Sequence, residues 1–252
     1  MLHDLNYPRF LVFDGRWHWD PVHPKMGRSS FCWALTDPEE SYPRLDMFNN
    51  YLGYAPEYIA TLTVLWIAAA ALKSIKLAVA ALVLSFCLLW FFQGAGSLPT
   101  DIDPRVLYCP CDGVVSDIIQ HGDTIQICIF LNIHNTHVQY SPFDCTVKSI
   151  RHKEGSFHPA YLLEKSQYNE RTEYVLENAT FGDVVFVQIA GQLARRIVSF
   201  VEEGQAVSAM SPIGLIKLGS RCDVYVRGES AVKKGDRVRI GDPLVRAFKK
   251  CV

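Results

Sequence analysis

Val201-Glu-Glu-Gly204-Gln-Ala-Val207 is repeated 31 residues later as Val232-Lys-Lys-Gly235-Asp-Arg-Val238. A proline follows each copy at the same distance, at Pro212 and Pro243. A glycine among polar residues with a valine on either side is typical of a tight turn between two short strands. Each copy therefore predicts a strand, a glycine turn, a strand and a second turn.

Around this repeat, the chain from Leu107 onward consists of short runs rich in Val and Ile, interrupted by Gly, Asp, Asn and Pro. Such runs predict β-strands. The clearest are 113–119, 124–131, 146–150, 183–190, 213–218 and 222–226. Helical periodicity is limited to a candidate helix near 159–168. We expect a mainly β domain over 99–252 in an α+β chain, and its repeated turns resemble those of barrel-sandwich domains of the lipoyl type.

The charges nearly cancel, with 25 Lys+Arg against 26 Asp+Glu. No nucleic-acid partner is expected, because such a partner would require a basic surface. The eight cysteines include no CxxC pair, which favours reduced thiols over a disulfide framework. Cys109-Pro-Cys111 is more typical of a strand start than of a metal site, because no second ligand pair has zinc-site spacing. No metal site is expected.

Hydrophobic residues make up 49% of the chain, and the surplus is concentrated in 58–92. Lys73 and Lys76 divide this segment into apolar runs of 15 and 16 residues. Each run is about 23 Å long as a helix, shorter than the ~30 Å hydrocarbon core of a bilayer. The segment begins far from residue 1, so we interpret it as an anchor and not as a cleaved leader.

Four geometries remain open for this segment: a hairpin dipping into one leaflet, two short spans, one tilted helix with both lysines in lipid, or a buried hairpin in a soluble core. Two lysines at the bilayer centre would be costly. The hairpin with Lys73 and Lys76 at its tip is therefore preferred. We expect residues 51–98 to form a membrane-associated helical hairpin, and 1–50 to be an N-terminal extension of unknown role.

Five motifs follow one another along the rest of the chain. They are Leu107-Tyr-Cys-Pro-Cys-Asp112-Gly-Val-Val115, Phe130-Leu-Asn-Ile-His134-Asn-Thr-His137-Val-Gln-Tyr-Ser-Pro-Phe-Asp144, Asn169-Glu-Arg171, Gln188-Ile-Ala-Gly-Gln-Leu-Ala-Arg-Arg196-Ile-Val198 and Gly219-Ser220-Arg221-Cys-Asp223-Val-Tyr225. In this order they resemble the short, archaeal-like type of the phosphatidylserine decarboxylase family, whose members are pyruvoyl-dependent proenzymes. The resemblance covers roughly residues 50–252.

The resemblance implies that the chain cuts itself between Gly219 and Ser220, into a large β chain (1–219) and a small α chain (220–252). Ser220 would attack the Gly219 carbonyl and become a covalent pyruvoyl group, which is the expected cofactor. A serine hydroxyl is a weak nucleophile and needs a base held by an orienting carboxylate. The resemblance gives these two roles to His137 and Asp112.

The implied reaction is decarboxylation of phosphatidylserine to phosphatidylethanolamine, with the pyruvoyl group accepting the electrons released as CO₂ leaves. His137 is the first candidate to reprotonate the α-carbon, and His134 is the second. His134, His158 and Arg221 are further candidates for the substrate site. On a strand, His134 would face away from His137. Ala160 stands where the family often has the glycine of a His-Pro-Gly motif.

The expected partners are a phospholipid membrane and its serine phospholipid, and the expected assembly is an α/β heterodimer from one precursor, with a higher oligomer left open. The catalytic domain is expected on the cytoplasmic face of the membrane. Three alternatives remain: a decarboxylase of a related serine lipid such as archaetidylserine, a membrane-anchored LytM-like metallopeptidase, and a non-catalytic lipoyl-like module. The metallopeptidase requires a late HxH motif, but no histidine follows His158.

Overall fold

The computed structural model describes residues 11–13, 16–18, 51–192, 196–217 and 220–248. It divides the chain into two units, Met1–Leu45 and Asp46–Val252. In the first unit, β1 (Leu11–Phe13) pairs antiparallel with β2 (Arg16–His18). The rest of the 1–50 extension lies outside the described residues.

Two apolar helices, α1 (Pro56–Ala71) and α2 (Ile75–Phe91), follow a short 3-10 turn in the second unit. Proline suits the first position of α1, because the N–H that it lacks would have no partner within the helix. The two helices pack against each other, and the Trp66 indole N–H donates to the Ser85 hydroxyl at 3.3 Å. None of the described helices is both long and apolar enough to cross a membrane.

The helices are joined by a turn at residues 72–74. Lys73 has a positive φ of 45° there. Ser74 caps α2, since its hydroxyl accepts a hydrogen bond from the Leu77 N–H at 3.4 Å. Lys76 is the second residue of α2. Both lysines are exposed, one in the turn of the hairpin and the other directly after it.

Strands make up most of the remaining chain. One single-turn helix, α3 (Leu163–Ser166), lies among them. The strands are β3 (Val106–Tyr108), β4 (Gly113–His121), β5 (Thr124–Leu131), β6 (Val138–Tyr140), β7 (Cys145–Lys153), β8 (Arg171–Asn178), β9 (Gly182–Ala190), β10 (Ile197–Ser199), β11 (Ala206–Val207), β12 (Pro212–Ile216), β13 (Ser220–Arg227), β14 (Glu229–Ser230), β15 (Arg237–Val238) and β16 (Pro243–Arg246). The expectation of a mainly β chain is confirmed.

The strands form one large antiparallel sheet and two small ones. The large sheet has the order β11-β7-β8-β9-β13-β5-β4-β15, and the small sheets have the orders β10-β12-β6 and β14-β16-β3. β13 is central, because it pairs with β5 on one side and with β9 on the other. The strand that begins at Ser220 is therefore held by hydrogen bonds along both edges.

The repeat predicted from sequence is present in the structure. β10, β11 and β12 correspond to β14, β15 and β16 at the same spacing of 31 residues. Gly204 and Gly235 both adopt the left-handed conformation, with φ of +84° and +94°. Their N–H groups donate to equivalent carbonyls, those of Val147 and Val115. β3 and β4 likewise correspond to β6 and β7, a repetition that the sequence patterns did not reveal.

Two hydrophobic clusters hold the unit together. One fills the interior of the β domain, where every second residue of β13 enters it, namely Cys222, Val224 and Val226. The other joins the helices to the β domain and includes Phe91, the last residue of α2, and Phe92, which follows it. Their partners in this second cluster include Val106, Tyr108, Val138, Tyr140, Met210 and Leu215. The base of the helical hairpin, around Phe91 and Phe92, thus packs on both small sheets, on β6 and β12 of one and on β3 of the other.

All six strands named from sequence are present, with ends shifted by a few residues. β8 was not among them, because Arg171, Thr172 and Glu173 hide its alternation. The candidate helix near 159–168 is reduced to the single turn of α3. The remainder of that segment is an irregular connection tied to the sheet by side-chain hydrogen bonds.

Candidate functional site

Ser220 is the first residue of β13 and is completely buried. It lies opposite Leu131 of β5 and Ala190 of β9. Its Oγ makes no hydrogen bond with any residue that the structure describes. Gly219, the other side of the expected cleavage bond, lies outside the described residues.

His137 lies immediately before β6, next to the segment that leads into Ser220. Its backbone carbonyl accepts a hydrogen bond from the Ile216 N–H of β12 at 3.1 Å. The imidazole is completely buried, and its ring centroid lies 4.2 Å from that of Phe91. The C-terminal end of α2 therefore covers the histidine that the sequence motifs assigned to catalysis.

The hydrogen bond at Nδ1 fixes the tautomer of His137. Nδ1 lies 2.7 Å from the carbonyl oxygen of Asn135. A carbonyl can only accept, so Nδ1 carries the proton and the basic lone pair of the neutral ring is on Nε2. Sequence reasoning missed Asn135, because a backbone carbonyl leaves no mark in a side-chain motif.

Burial lowers the pKa of His137 to about 4, since the charged imidazolium would lose its hydration. The hydrogen bond with Asn135 acts in the opposite direction, and the nearby charge of His134 lowers the pKa further. His137 is therefore neutral at physiological pH and able to accept a proton.

Asp112 lies between β3 and β4, where its carboxylate Oδ1 accepts a hydrogen bond from the Ile240 N–H at 2.8 Å. Ile240 is in the turn between β15 and β16. The described hydrogen bonds thus give Asp112 and His137 different partners: Asp112 fixes a turn of the second repeat, while the carbonyl of Asn135 orients the imidazole.

A chain of buried polar side chains ends at the backbone carbonyl of His137. The Tyr174 hydroxyl donates to Gln188 Oε1 at 2.8 Å, and Gln188 Nε2 donates to Gln139 Oε1 at 2.5 Å. Gln139 Nε2 then donates to the His137 carbonyl at 2.6 Å. Sequence patterns gave no signal for this chain, because its members come from three different strands. It fixes the backbone that carries the candidate base.

Arg221 is buried, and its guanidinium is engaged in several hydrogen bonds. Nε and Nη2 donate to the two carboxylate oxygens of Asp223, at 2.8 and 3.1 Å. Nη1 donates to the Ser166 hydroxyl at 2.6 Å and to the Ala160 carbonyl at 3.2 Å. These contacts tie β13 to the segment around α3, so the described geometry gives Arg221 a supporting position.

The two remaining histidine candidates lie in connections. His158 is half-buried, and its backbone N–H and carbonyl both bond to the side chain of Asn169. Asn169 Nδ2 also donates to the carbonyl of Ala190, the residue opposite Ser220. His134 is exposed, in the turn before β6. The structure therefore links the His158 segment to the start of β13 and leaves the His134 imidazole facing outward.

Comparison with known proteins shows which family the chain belongs to. The family model described as phosphatidylserine decarboxylase matches residues 85–246. An archaetidylserine decarboxylase proenzyme of Methanococcoides burtonii is 36% identical over 193 residues, covering 74% of this chain and 89% of the relative. A phosphatidylserine decarboxylase proenzyme of Desulfotalea psychrophila is 34% identical, covering 62% of this chain and 77% of the relative. A phosphatidylserine decarboxylase proenzyme of Rickettsia africae is 35% identical, covering 65% and 75%. The chain is a decarboxylase that belongs to the phosphatidylserine decarboxylase family.

Proposed function

We propose that the chain is the precursor of a pyruvoyl-dependent decarboxylase of serine phospholipids, cut between Gly219 and Ser220 into a large β chain and a small α chain. The observation that carries this proposal is the buried Ser220 hydroxyl, for which the described residues offer no hydrogen-bond partner. An unsatisfied buried hydroxyl costs about 1–3 kcal/mol. A fold that keeps it at the start of a central strand favours a chemical use for Ser220 over a structural one.

In the proposed cut, Ser220 Oγ attacks the carbonyl carbon of Gly219, and the peptide C–N bond breaks as an ester forms. Loss of the Ser220 α-proton then breaks the Cβ–O bond and releases Gly219 as a carboxylate. The dehydroalanine left at position 220 takes up one water and releases one ammonia, which leaves a pyruvoyl group at the start of the small chain. No oxidant or reductant is needed, because the serine supplies the carbon atoms of the new ketone and the water supplies its oxygen.

His137 is proposed to accept the proton of the Ser220 hydroxyl. Its neutral form and the proton on Nδ1 suit this role, since both direct the basic lone pair to Nε2. Asp112 is also proposed to contribute to self-cleavage, because it belongs to the first of the five motifs. Its described bond to Ile240 supports an indirect part, in which Asp112 holds the turn of the second repeat against the start of β4.

Once formed, the pyruvoyl group supplies an electron sink for the decarboxylation. We propose that His137 takes up at Nε2 the one proton that the decarboxylation consumes and delivers it to the α-carbon, with His134 as the second candidate. His137 is favoured because its burial keeps bulk water away from the reacting carbon, whereas His134 is exposed. His158 and Arg221 act by position, through the segment that their hydrogen bonds hold against β13.

The helical hairpin is proposed to bind the membrane that contains the substrate. Large apolar side chains are exposed along both helices, among them Val64, Ile67, Leu72, Ile75, Leu82, Val83, Phe86 and Trp90. Exposure is greatest at the turn, at 70% for Leu72 and 76% for Ile75. A contiguous exposed apolar surface of this kind marks a membrane or protein interaction site. The free cysteines favour a reducing compartment, and thus the cytoplasmic face, for the β domain.

We propose phosphatidylserine as the substrate and archaetidylserine, with ether-linked chains, as the second candidate. The relatives are named for both lipids, and the two share the serine head group on which the site would act. Purified enzyme is assayed with each lipid separately in the same detergent. It should release CO₂ from phosphatidylserine. Release from the ether lipid alone would assign the second candidate.

The proposal is tested by denaturing gels and by the intact mass of the small chain. Wild-type protein should give two chains that meet at the bond before Ser220, and the small chain should weigh less than a serine-ended chain by one ammonia. Ser220→Ala should remain a single chain, while Ser230→Ala, at an exposed position of the small chain, should be cut as in wild type. A wild-type small chain that begins with an intact serine would refute the pyruvoyl assignment.

A further inference from the structure

A small cavity lies where the base of the helical hairpin meets the β domain. It has a volume of about 240 Å³ and is lined by Glu57 and Tyr58 of α1 together with Arg196 and Lys217. Sites that enclose drug-sized ligands measure ~300–1,000 Å³, so this cavity suits a smaller group. Residues from three distant parts of the sequence thus bring two cations and one carboxylate to one place.

Lys217 is the buried charged residue of this cavity. Its side chain is only 5% exposed, and its Nζ lies 2.6 Å from Glu57 Oε1, whereas the Glu57 side chain is 45% exposed. The backbone N–H of Lys217 donates to the Arg196 carbonyl at 3.1 Å. A buried lysine needs a counter-charge, and Glu57 provides one. Because Arg196 adds a second cation, the cavity carries a net positive charge.

The cavity lies close to the proposed pyruvoyl position. Lys217 precedes Ser220 by three residues, so their Cα atoms are at most about 11 Å apart. Tyr58 of the cavity contacts Phe92, which contacts Phe91, which contacts His137, with ring centroids 5.7, 5.1 and 4.2 Å apart. A continuous row of ring contacts therefore connects the wall of the cavity to the candidate base.

We propose that this cavity is the subsite for the phosphodiester of the substrate head group, with Lys217 and Arg196 as its ligands. This inference rests on the proposed function. The amine of a serine head group is four bonds of about 1.5 Å each from the phosphorus. A phosphate held by Lys217 would therefore allow the amine to extend up to about 6 Å towards position 220, whose Cα lies at most about 11 Å from that of Lys217.

The chemistry of the reaction favours the phosphate over the carboxylate as the anion bound here. The carboxylate loses its charge as CO₂ leaves, so cations that held it would stabilise the starting state and slow the reaction. The phosphate keeps its charge throughout, and binding it fixes the substrate without opposing the chemistry. The base of an apolar hairpin is also where lipid head groups would lie if the hairpin enters the membrane.

The test compares Lys217→Met, Lys217→Arg, Glu57→Gln and Arg196→Met with the control Lys234→Met, an exposed lysine of the second repeat turn. Each processed enzyme is assayed with short-chain phosphatidylserine in uncharged micelles. Glycerophosphoethanolamine, which has the phosphate but no carboxylate, serves as competitive inhibitor. A hydrazide label on the small chain reports the pyruvoyl group independently of lipid.

Lys217→Met should raise KM and the inhibition constant by about 10- to 100-fold, the range expected for loss of a charged hydrogen bond, with kcat little changed. Lys217→Arg should recover most of the affinity. Glu57→Gln should leave KM unchanged or lower it, because it removes a competing anion. Lys234→Met should match wild type, and all processed variants should label equally.

Several outcomes would overturn the subsite. Unchanged KM and inhibition constants in Lys217→Met would do so, as would a rise in KM for phosphatidylserine without one for glycerophosphoethanolamine, which would assign the cations to the carboxylate. An equal rise in KM and in the inhibition constant for Glu57→Gln would show that the Lys217–Glu57 pair only holds α1 against the β domain. If Lys217→Met is not cut, Arg196→Met decides by the same two constants. A wild-type small chain without label would overturn the proposed function itself, whereas label with unchanged constants overturns the subsite alone.

Discussion

His137 is kept neutral by its surroundings. The ring is enclosed by Phe91 and by the small sheet of β6, and this burial brings its pKa to about 4. The proton on Nδ1 is held by a carbonyl two residues earlier in the chain. A base prepared in this way is available over a wider range of pH than an exposed histidine.

We expect the rate of self-cleavage to be nearly constant between pH 5 and 8. The active form is the unprotonated one, so the rate should rise through a pKa of about 4 and then level off. Precursor from cell-free synthesis, shifted to buffers of different pH and followed on denaturing gels, would give the rates. Ser220→Ala is the uncut control at each pH. A rate that rises about tenfold between pH 5.5 and 7.5 would indicate an imidazole with an ordinary pKa.

Single residues of the site were only partly accessible to sequence reasoning. Ser220 and His137 stand out because their side chains belong to motifs. The Asn135 carbonyl and the Gln139–Gln188–Tyr174 chain do not, because they depend on backbone position and on pairing between distant strands. The same holds for the Lys217–Glu57 pair, whose members are 160 residues apart.

At the level of elements, β12 sets the spacing between the site and the polar chain behind it. A Cβ at Gly214 would lie 2.6 Å from Gln188 Nε2 and 2.8 Å from the carbonyl oxygen of Val198. Glycine is therefore required for β12 to approach Gln188. Because Gln188 supports Gln139, and Gln139 supports the His137 carbonyl, this strand contact influences the candidate base.

Gly214→Ala should destabilise the precursor by about 1–3 kcal/mol through overpacking and should slow self-cleavage by displacing the Gln188–Gln139 pair. Thermal unfolding and the fraction cut over time would measure the two effects. The matched control is Gly96→Ala, where a Cβ meets no atom within 4 Å. Wild-type stability and cleavage in Gly214→Ala would show that the strand can shift without consequence.

The helical hairpin allows a direct test of membrane binding. Leu72→Asp combined with Ile75→Asp places two charges at its most exposed apolar positions. We expect the double variant to lose most of its binding to anionic lipid vesicles in a flotation assay, while self-cleavage remains normal because the turn is remote from Ser220 in sequence. Gln120→Asp, on the exposed end of β4, is the control. Undiminished flotation of the double variant would assign membrane binding to another surface.

On the scale of the whole molecule, the proposed cut divides the repeat between two chains. The copy with β10, β11 and β12 would remain in the large chain, and the copy with β14, β15 and β16 would belong to the small one. The repeat was predictable because its turns are local, with glycines that must be left-handed. The sheet order was not, because it depends on pairings such as β13 with β5 and β9, which no local pattern encodes.

The two chains should stay together after cleavage. β13 is paired along both edges and buries Cys222, Val224 and Val226 in the main core. The chains should therefore elute as one species in gel filtration and separate only in strong denaturant. Release of the small chain in native buffer would contradict the central position of β13.

The burial of position 220 at the head of a doubly paired strand also bears on the lifetime of the enzyme. A dissociable cofactor can be exchanged when it is damaged, but a prosthetic group that is part of the strand cannot leave without unfolding the sheet. In the proposed mature form, each molecule would acquire its reactive carbonyl only once, during self-cleavage. A molecule whose carbonyl was reduced or captured would have to be replaced by new synthesis, so the cell would maintain this activity by making protein and not by supplying a vitamin.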